Sequence, residues 1–122
     1  MGCAPGLSQL RQAVCGAAAA FEPALLDRDG AVRAVSAWSA IVNAASAARD
    51  MAAARLAQCG TPAGCRDSAE WLAEHTGTSN AKAKERIRTG ERLRKQDRTR
   101  QAATEGKLSG EQTALITDSV DA

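Results

Sequence analysis

Alanine dominates the apolar content of this 122-residue chain and limits what the chain can fold into. There are 28 alanines, about half of the hydrophobic residues, whereas Leu, Ile, Val and Phe together number 18. Alanine is the strongest helix former, but its side chain has little surface to bury. The composition therefore predicts plentiful helices around a thin core, which is typical of a fragment or of a module that depends on a partner.

The same counts argue against a β-sheet. The chain has no Tyr and one Phe, and its Val, Ile and Thr residues do not alternate with polar ones. We therefore expect an all-α protein, an irregular bundle of about five helices. No run approaches the roughly 18 apolar residues of a membrane span, and no convincing signal peptide is present. These features favour a cytoplasmic protein with reduced thiols and no membrane partner.

Hydrophobic periodicity and breaker residues place the helices. In chain order, five helices are predicted, up to about residue 20, over 31–58, around Trp71, over 80–96 and from Ser109 onward, with a further turn or two over 98–105. Residues that favour helix N-caps precede the later helices: Asp67 or Ser68, then Thr78, Ser79 or Asn80, then Ser109 in a capping box with Gln112. Gly77 is predicted to end the helix around Trp71 in a left-handed conformation.

The long second helix carries an apolar stripe at heptad-like spacing, formed by Val35, Trp38, Val42, Ala45, Ala52 and Leu56. Small residues let a neighbouring helix approach closely, so the stripe is predicted to be a core or coiled-coil face. Its first three members form the predicted surface for a helical partner or for self-association.

Positive charge is concentrated in one segment. Residues 82–100 contain nine Lys and Arg against three acidic residues, a net charge of +6, whereas the other 103 residues sum to −4. At about 100° per residue, four basic side chains form one stripe of a helix: Lys84, Arg88, Arg92 and Lys95. The segment predicts a cationic ridge that suits phosphate neutralisation. A solvated helix that serves solubility or contacts acidic proteins is the alternative.

Residues 67–96 also fit a helix-turn-helix unit, with a short helix, a turn at Gly77 and then the basic helix. Arg86 departs from the pattern, because a buried residue is preferred at its position. Six residues of the basic helix are predicted to contact DNA: Asn80, Lys82, Lys84, Arg88, Arg92 and Lys95. Those nearest the N-terminus of the helix are expected to contact base edges. The same geometry occurs as plain packing in all-α proteins, so a structural role is the alternative.

Metal, cofactor and catalytic motifs are not predicted. Cys59, Cys65 and His75 lack the close spacing of a zinc knuckle and a second late ligand. His75 is the sole histidine, which excludes a two-histidine metal site and a hydrolytic triad within this chain. The glycines form no phosphate-binding loop. We therefore expect no metal, no cofactor and no enzymatic activity. Free thiols are expected, with a disulfide between Cys59 and Cys65 as the alternative in an oxidising environment.

From Asp67 onward the residues resemble a known family. Residues 67–79 read DSAEWLAEHTGTS; the matching positions that follow are Ala81, Ala83, Arg92, Leu93 and the segment 103–109, ATEGKLS. This pattern is similar to that of the actinobacterial 13E12-repeat family, also called domain of unknown function 222. The alanine-rich helix in front of it is similar to the preceding segment of that family, so the resemblance covers roughly residues 25–122.

The residue pattern predicts an N-terminal helix and connector at 1–24, and the resemblance implies a partial 13E12-repeat-like domain at 25–122. In that family the helical domain usually precedes a C-terminal HNH nuclease domain. This chain ends before one, so no catalytic residue is carried over and a fragment is expected. The chain departs from the family after the basic helix, where it reads RKQD over 94–97 in place of a frequent Leu-Pro.

Two functions of different classes follow. The first is a non-catalytic module whose basic helix lies on the phosphate backbone of double-stranded DNA. The alternative is a protein-interaction or dimerisation module that uses Val35, Trp38 and Val42. At the end of the chain, the apolar residues Leu115, Ile116 and Val120 are expected to face a partner rather than a core of this chain.

Overall fold

The computed structural model describes residues 6–121, and no strand occurs among them. The helices are α1 (Leu7–Ala20), a single-turn 3-10 helix (Pro23–Leu25), α2 (Arg28–Cys59), α3 (Ser68–Thr76), α4 (Asn80–Lys95), α5 (Asp97–Thr104) and α6 (Gly110–Asp121). The all-α prediction is confirmed, with six α-helices in the described part of the chain where about five were predicted. None of these helices is both long and apolar enough to cross a membrane.

The described residues divide into two compact units, and the division falls after Val35, within α2. In the first unit, neither α1 nor the 3-10 helix buries a residue. Leu7 and Leu10, the first members of the predicted helical stripe, are exposed. Helix α1 is therefore present as predicted, but it contributes no buried side chain to a core. The predicted domain boundary between residues 24 and 25 stays a prediction.

Helix α2 begins at Arg28, three residues before the predicted start at Ala31. The backbone N–H of Gly30 donates a hydrogen bond to Oδ1 of Asp27 at 2.7 Å, which is the geometry of an N-cap. Gly30 therefore lies in the first turn of α2, just before the predicted start of that helix.

Two small apolar clusters place α4 at the centre of the second unit. The first joins α2, α3 and α4 through Ala53, Ala69, Leu72, Ala73 and Ala83, with Trp71 and Ile87 half-buried beside them. The second joins α2, α4 and α5 through Ala47, Leu93 and Ala103, with Met51 and Leu108 against them. Six of these eight buried residues are alanines, so the core is as thin as the composition predicts.

Glycine lets two other segments touch the backbone of α2. At Gly90 of α4, a Cβ atom would collide with the backbone carbonyl of Asp50. At Gly106, in the turn after α5, φ is +81° and a Cβ atom would lie 2.6 Å from the carbonyl oxygen of Ala40. The side chain of Asn43 also donates a hydrogen bond from Nδ2 to the carbonyl oxygen of Gly106 at 3.1 Å. Both contacts are therefore possible only without a side chain on the glycine.

The stripe predicted as the core face of α2 is not the face that α2 buries. Its exposed members are Val35, Val42, Ala45 and Ala52, and its half-buried members are Trp38 and Leu56. The helix instead buries Ala47, Asp50, Ala53 and Ala54. Alanines lie on every side of α2, so the close contacts with α3 and α4 decide which side is covered. The prediction of a core face was wrong for this reason, and the use of the stripe by a partner stays a prediction.

Helix α6 begins where the capping box predicts. The N–H of Ser109 donates to Oε1 of Gln112 at 2.9 Å, and the N–H of Gln112 donates to Oγ of Ser109 at 3.1 Å. Thr117 is fully buried, whereas Leu115 is 72% exposed and Val120 is exposed as well. The apolar residues of α6 thus lie at the surface of the chain, as expected.

Candidate nucleic-acid interface

Helices α3 and α4 form the predicted helix-turn-helix-like unit, and local caps fix its turn. Oδ1 of Asp67 accepts a hydrogen bond from the N–H of Glu70 at 2.8 Å, which begins α3. Gly77 ends α3 in the left-handed region with φ of 67°. Oγ of Ser79 then accepts from the N–H of Lys82 at 3.1 Å and begins α4. Helices α3, α5 and α6 pack against α4. The residues of α4 that point away from these helices are exposed.

The solvent side of α4 is basic. Lys84, Arg88 and Lys95 are exposed and follow one another at steps of four and seven residues, and we call these three residues the basic ridge. Among the described side chains, those of residues 6–120, none of the three forms an ion pair. The ridge extends about 16 Å along the helix axis. Asn80, the first residue of α4, is exposed as well, so four of the six residues predicted to contact DNA lie on the solvent-facing side.

Lys82 and Arg92, the other two predicted DNA contacts, lie apart from the basic ridge. Nη1 of Arg92 is 2.9 Å from Oδ1 of Asp118 in α6, and the Arg92 side chain is 20% exposed. Nζ of Lys82 is 4.0 Å from Oε1 of Glu85, one turn further on. A helical wheel of α4 cannot foresee the first pairing, because it depends on the packing of α6 against α4. Contact of these two residues with DNA stays a prediction.

A buried carboxylate lies beneath α4. Asp50 of α2 is 4% exposed, and its Oδ1 is 3.3 Å from Nε of Arg49. Burial raises the pKa of Asp50, and the positive charges of Arg49 and Arg86 oppose that rise. Arg86 is half-buried and donates from Nη1 to Oγ1 of Thr76 at 3.2 Å. The arginine that departs from the helix-turn-helix pattern therefore links α4 to the end of α3 and brings positive charge near Asp50.

A second cationic feature joins three helices and is not among the predicted sites. Arg55 of α2, Arg94 of α4 and Arg100 of α5 line a surface groove of about 310 Å³, which we call the arginine groove. Glu91 is the one carboxylate among the described lining residues. No regular spacing connects positions 55, 94 and 100. The high charge of residues 82–100 was a signal for two of these arginines, but only the packing of α2 reveals the third.

The described cysteines do not assemble into a site. Cys15, Cys59 and Cys65 are free thiols, and Cys3 lies outside the described residues. Partial burial raises the pKa of the Cys65 thiol, and the carboxylates of Glu74 and other acidic residues nearby raise it further. Because the thiolate is the reactive form, this environment disfavours chemistry at Cys65.

His75, the sole histidine, takes part in packing. Its ring stacks on Trp71 with a centroid distance of 3.9 Å and an interplanar angle of 25°. Its Nδ1 lies 3.1 Å from the carbonyl oxygen of the same tryptophan. Within the part of the chain that the structure describes, no group of three His, Cys, Asp or Glu side chains could hold a metal ion. The lack of a metal, a cofactor and catalysis stays a prediction.

The chain matches no protein-family model, and no curated protein or solved structure is significantly similar to it. The resemblance of residues 25–122 to the 13E12-repeat family therefore stays a prediction.

Proposed function

We propose that this chain is a non-catalytic helical module that contacts double-stranded DNA through α4. The observation that supports the proposal most is the basic ridge, three exposed cations on one side of a capped helix that form no ion pair with the side chains of residues 6–120. Unpaired cations keep their full charge for phosphates. Neutralisation of phosphates releases counterions from DNA and supplies much of the affinity of DNA-binding proteins.

The order of residues along α4 suggests how the helix would lie on DNA. In helix-turn-helix proteins, the N-terminal residues of the second helix contact base edges in the major groove. Asn80 and Lys84 are exposed near that end of α4, whereas Arg88 and Lys95 lie further along, where phosphates would be met. The resemblance agrees with this proposal, because it implies the helical part of an HNH endonuclease-like protein. Contact with bacterial chromosomal DNA would place the chain in the cytoplasm.

Titration of a fluorescent DNA duplex at several salt concentrations tests the proposal. We expect log K to fall linearly with log[salt], with a slope near −0.9 for each contacted phosphate. Replacement of the basic ridge in the triple variant K84A/R88A/K95A is expected to reduce the magnitude of this slope by about 3, or about 1 per lost contact.

The triple variant R11A/R28A/R33A is the matched control, because it removes the same charge from exposed arginines of the first unit. Its slope is expected to stay near that of the unchanged chain. Binding that does not depend on salt, or equal losses in the two triple variants, would contradict the proposal. Metal-dependent nicking of DNA by the purified chain would contradict its non-catalytic part.

Exposed apolar residues favour a second candidate, a protein-interaction or dimerisation module. In the second unit, Val42 is 59% exposed, Ile41 beside it is exposed, and Trp38 is half-buried one turn earlier. Val35 in the first unit is exposed as well. Light scattering separates the two candidates. A monomer that binds DNA disfavours the second, whereas a dimer that dissociates after Val42→Asp supports it.

A further inference from the structure

The arginine groove has an excess of positive charge that the basic ridge does not explain. Arg55 of α2, Arg94 of α4 and Arg100 of α5 face a single lining carboxylate, that of Glu91. Nη1 of Arg55 donates to the neutral Oε1 of Gln58 at 3.2 Å. With the side chains of residues 6–120, none of the three arginines forms an ion pair. Three guanidinium groups from three helices thus share one opening without an equal number of counter-charges.

Guanidinium groups are suited to phosphate in particular. Each presents a planar fork of N–H donors that can bind two oxygens of one phosphate, and its charge does not depend on pH in the physiological range. Gly90 and Ala54 are buried lining residues of the groove, and neither has a side chain long enough to fill it. The groove therefore combines cationic walls with an open centre that can accept a compact anion.

The groove adjoins the basic ridge along α4. Arg94 comes directly before Lys95, the last residue of the ridge. A step of about 100° along the helix turns the Arg94 side chain away from the ridge and towards α2 and α5. A phosphate backbone that follows the basic ridge as far as Lys95 would therefore come next to the arginine groove at Arg94.

We propose that the arginine groove binds a phosphate group, and that this group is a backbone phosphodiester of the DNA whose other phosphates lie on the basic ridge. The assignment to DNA rests on the proposed function. The site itself rests on the convergence of Arg55, Arg94 and Arg100. A free phosphate compound would present the same chemistry, and the experiment below separates the two sources.

The double variant R94A/R100A removes two guanidinium groups from the groove and leaves the basic ridge intact. In duplex titrations between about 50 mM and about 200 mM salt, we expect the slope of log K on log[salt] to decrease in magnitude by about 1, because one phosphate contact is lost. R55A, on a different helix, is expected to change the slope in the same direction. The control R66A/R98A loses two exposed arginines outside the groove and is expected to keep the slope. Circular dichroism checks that each variant keeps its helices.

The duplex titrations also separate this inference from the proposed function. A slope that R94A/R100A leaves unchanged, together with a slope that K84A/R88A/K95A reduces, overturns the groove as a DNA contact and leaves the ridge in place. A slope that neither variant changes overturns both.

The second part of the experiment is a titration of the protein with inorganic phosphate, in which the NMR signals of the arginine Nε–H groups are followed. Shifts at Arg94 and Arg100, together with the reduced duplex slope, support a DNA phosphodiester in the groove. The same shifts without any effect on the duplex slope overturn the assignment to DNA in favour of a free phosphate compound. The absence of both effects overturns the phosphate site itself.

Discussion

Gly90 shows, for a single residue, how closely α2 and α4 approach. A Cβ at this position would collide with the backbone of Asp50, which cannot move aside as a flexible side chain can. Gly90→Ala is therefore expected to lower the free energy of unfolding by about 1–3 kcal/mol, although alanine is favoured over glycine in a helix by about 1 kcal/mol. Urea unfolding followed by circular dichroism measures this change.

Gly16→Ala in α1 is the matched control for Gly90→Ala. It makes the same change inside a helix where no atom lies within 4 Å of the added Cβ. The favourable helix propensity of alanine then acts alone, so the helical content of the chain is expected to stay equal or to rise. Equal destabilisation by the two substitutions would contradict the close contact at Gly90.

Asp50 links stability to pH. Its burial raises the pKa of the carboxyl above the value in the unfolded chain, so the folded state binds the proton more tightly. This group therefore favours folding below the unfolded pKa, and its contribution is lost as pH rises through the folded pKa. Asp50→Asn removes the titration. The stability of the variant relative to the unchanged chain is expected to increase from about pH 3 to about pH 7, as measured by urea unfolding.

Glu105 is a control for Asp50, because its pKa is shifted in the opposite direction. A hydrogen bond and the positive charge of Lys107, whose Nζ is 3.1 Å from Oε1 of Glu105, lower the pKa of this carboxyl. Its contribution is present above the unfolded pKa and is lost as pH falls through the folded pKa. Glu105→Gln is therefore expected to change the pH dependence in the opposite direction. A relative stability of Asp50→Asn that falls with pH, as expected for Glu105→Gln, would contradict the raised pKa of Asp50.

Local signals made several single residues predictable. Asp67, Gly77 and Ser79 begin or end helices as expected, because each acts on backbone groups within a few positions of itself. The ion pair of Arg92 with Asp118 was not predictable in this way, since 26 residues separate the two side chains.

Helix α4 shows how much one element depends on a single large side chain. Leu93 is fully buried, and its partners in the second cluster are Ala47 and Ala103, which are too small to fill a cavity. Leu93→Ala is therefore expected to lower the free energy of unfolding by about 2–5 kcal/mol, measured by urea unfolding. Leu115→Ala on α6 is the matched control. Because Leu115 is 72% exposed, a change within about 0.5 kcal/mol is expected. Similar losses would show that α6 is covered in solution.

The existence of each helix was predictable from periodicity, but the buried face of α2 was not. Valine and tryptophan at Val35, Trp38 and Val42 gave the strongest apolar stripe, yet the second unit buries a side of α2 that is mostly alanine. Hydrophobicity separates faces poorly when alanine occurs on all of them. The packed face is decided by the shape of the neighbouring segments, above all at Gly90 and Gly106. The sequence of α2 alone does not show where these glycines will make contact.

At the scale of the whole molecule, the two units differ in what they bury. In α1 no residue is buried, whereas α4 buries Ala83, Thr89, Gly90 and Leu93. A 14-residue helix without a buried residue gains little from packing and is marginal in water. Its amides are therefore expected to exchange with deuterium at nearly the rate of an unfolded chain, and the amides of α4 far more slowly. Mass spectrometry of peptides from the two helices measures the difference.

Protection of α1 that equals that of α4 would contradict this expectation. Repetition of the exchange at several protein concentrations then identifies the cause. Protection that disappears on dilution comes from self-association, and protection that persists comes from contacts within one chain. The basic ridge was predictable at this scale because it lies on one helix, whereas the arginine groove was not, because it requires the packing of α2, α4 and α5.

The contacts of Gly90 and Gly106 with α2 restrict insertions and deletions in the chain between the two glycines. Their partners, Asp50 and Ala40, are ten residues apart, which corresponds to about 15 Å along a helix. The two contact positions on α2 thus fix the distance that the chain between the two glycines must span. After a one-residue insertion or deletion over 91–105, one glycine could keep its contact with α2, but the other would no longer lie opposite its partner residue. The length of this segment is therefore set by a helix that lies outside it.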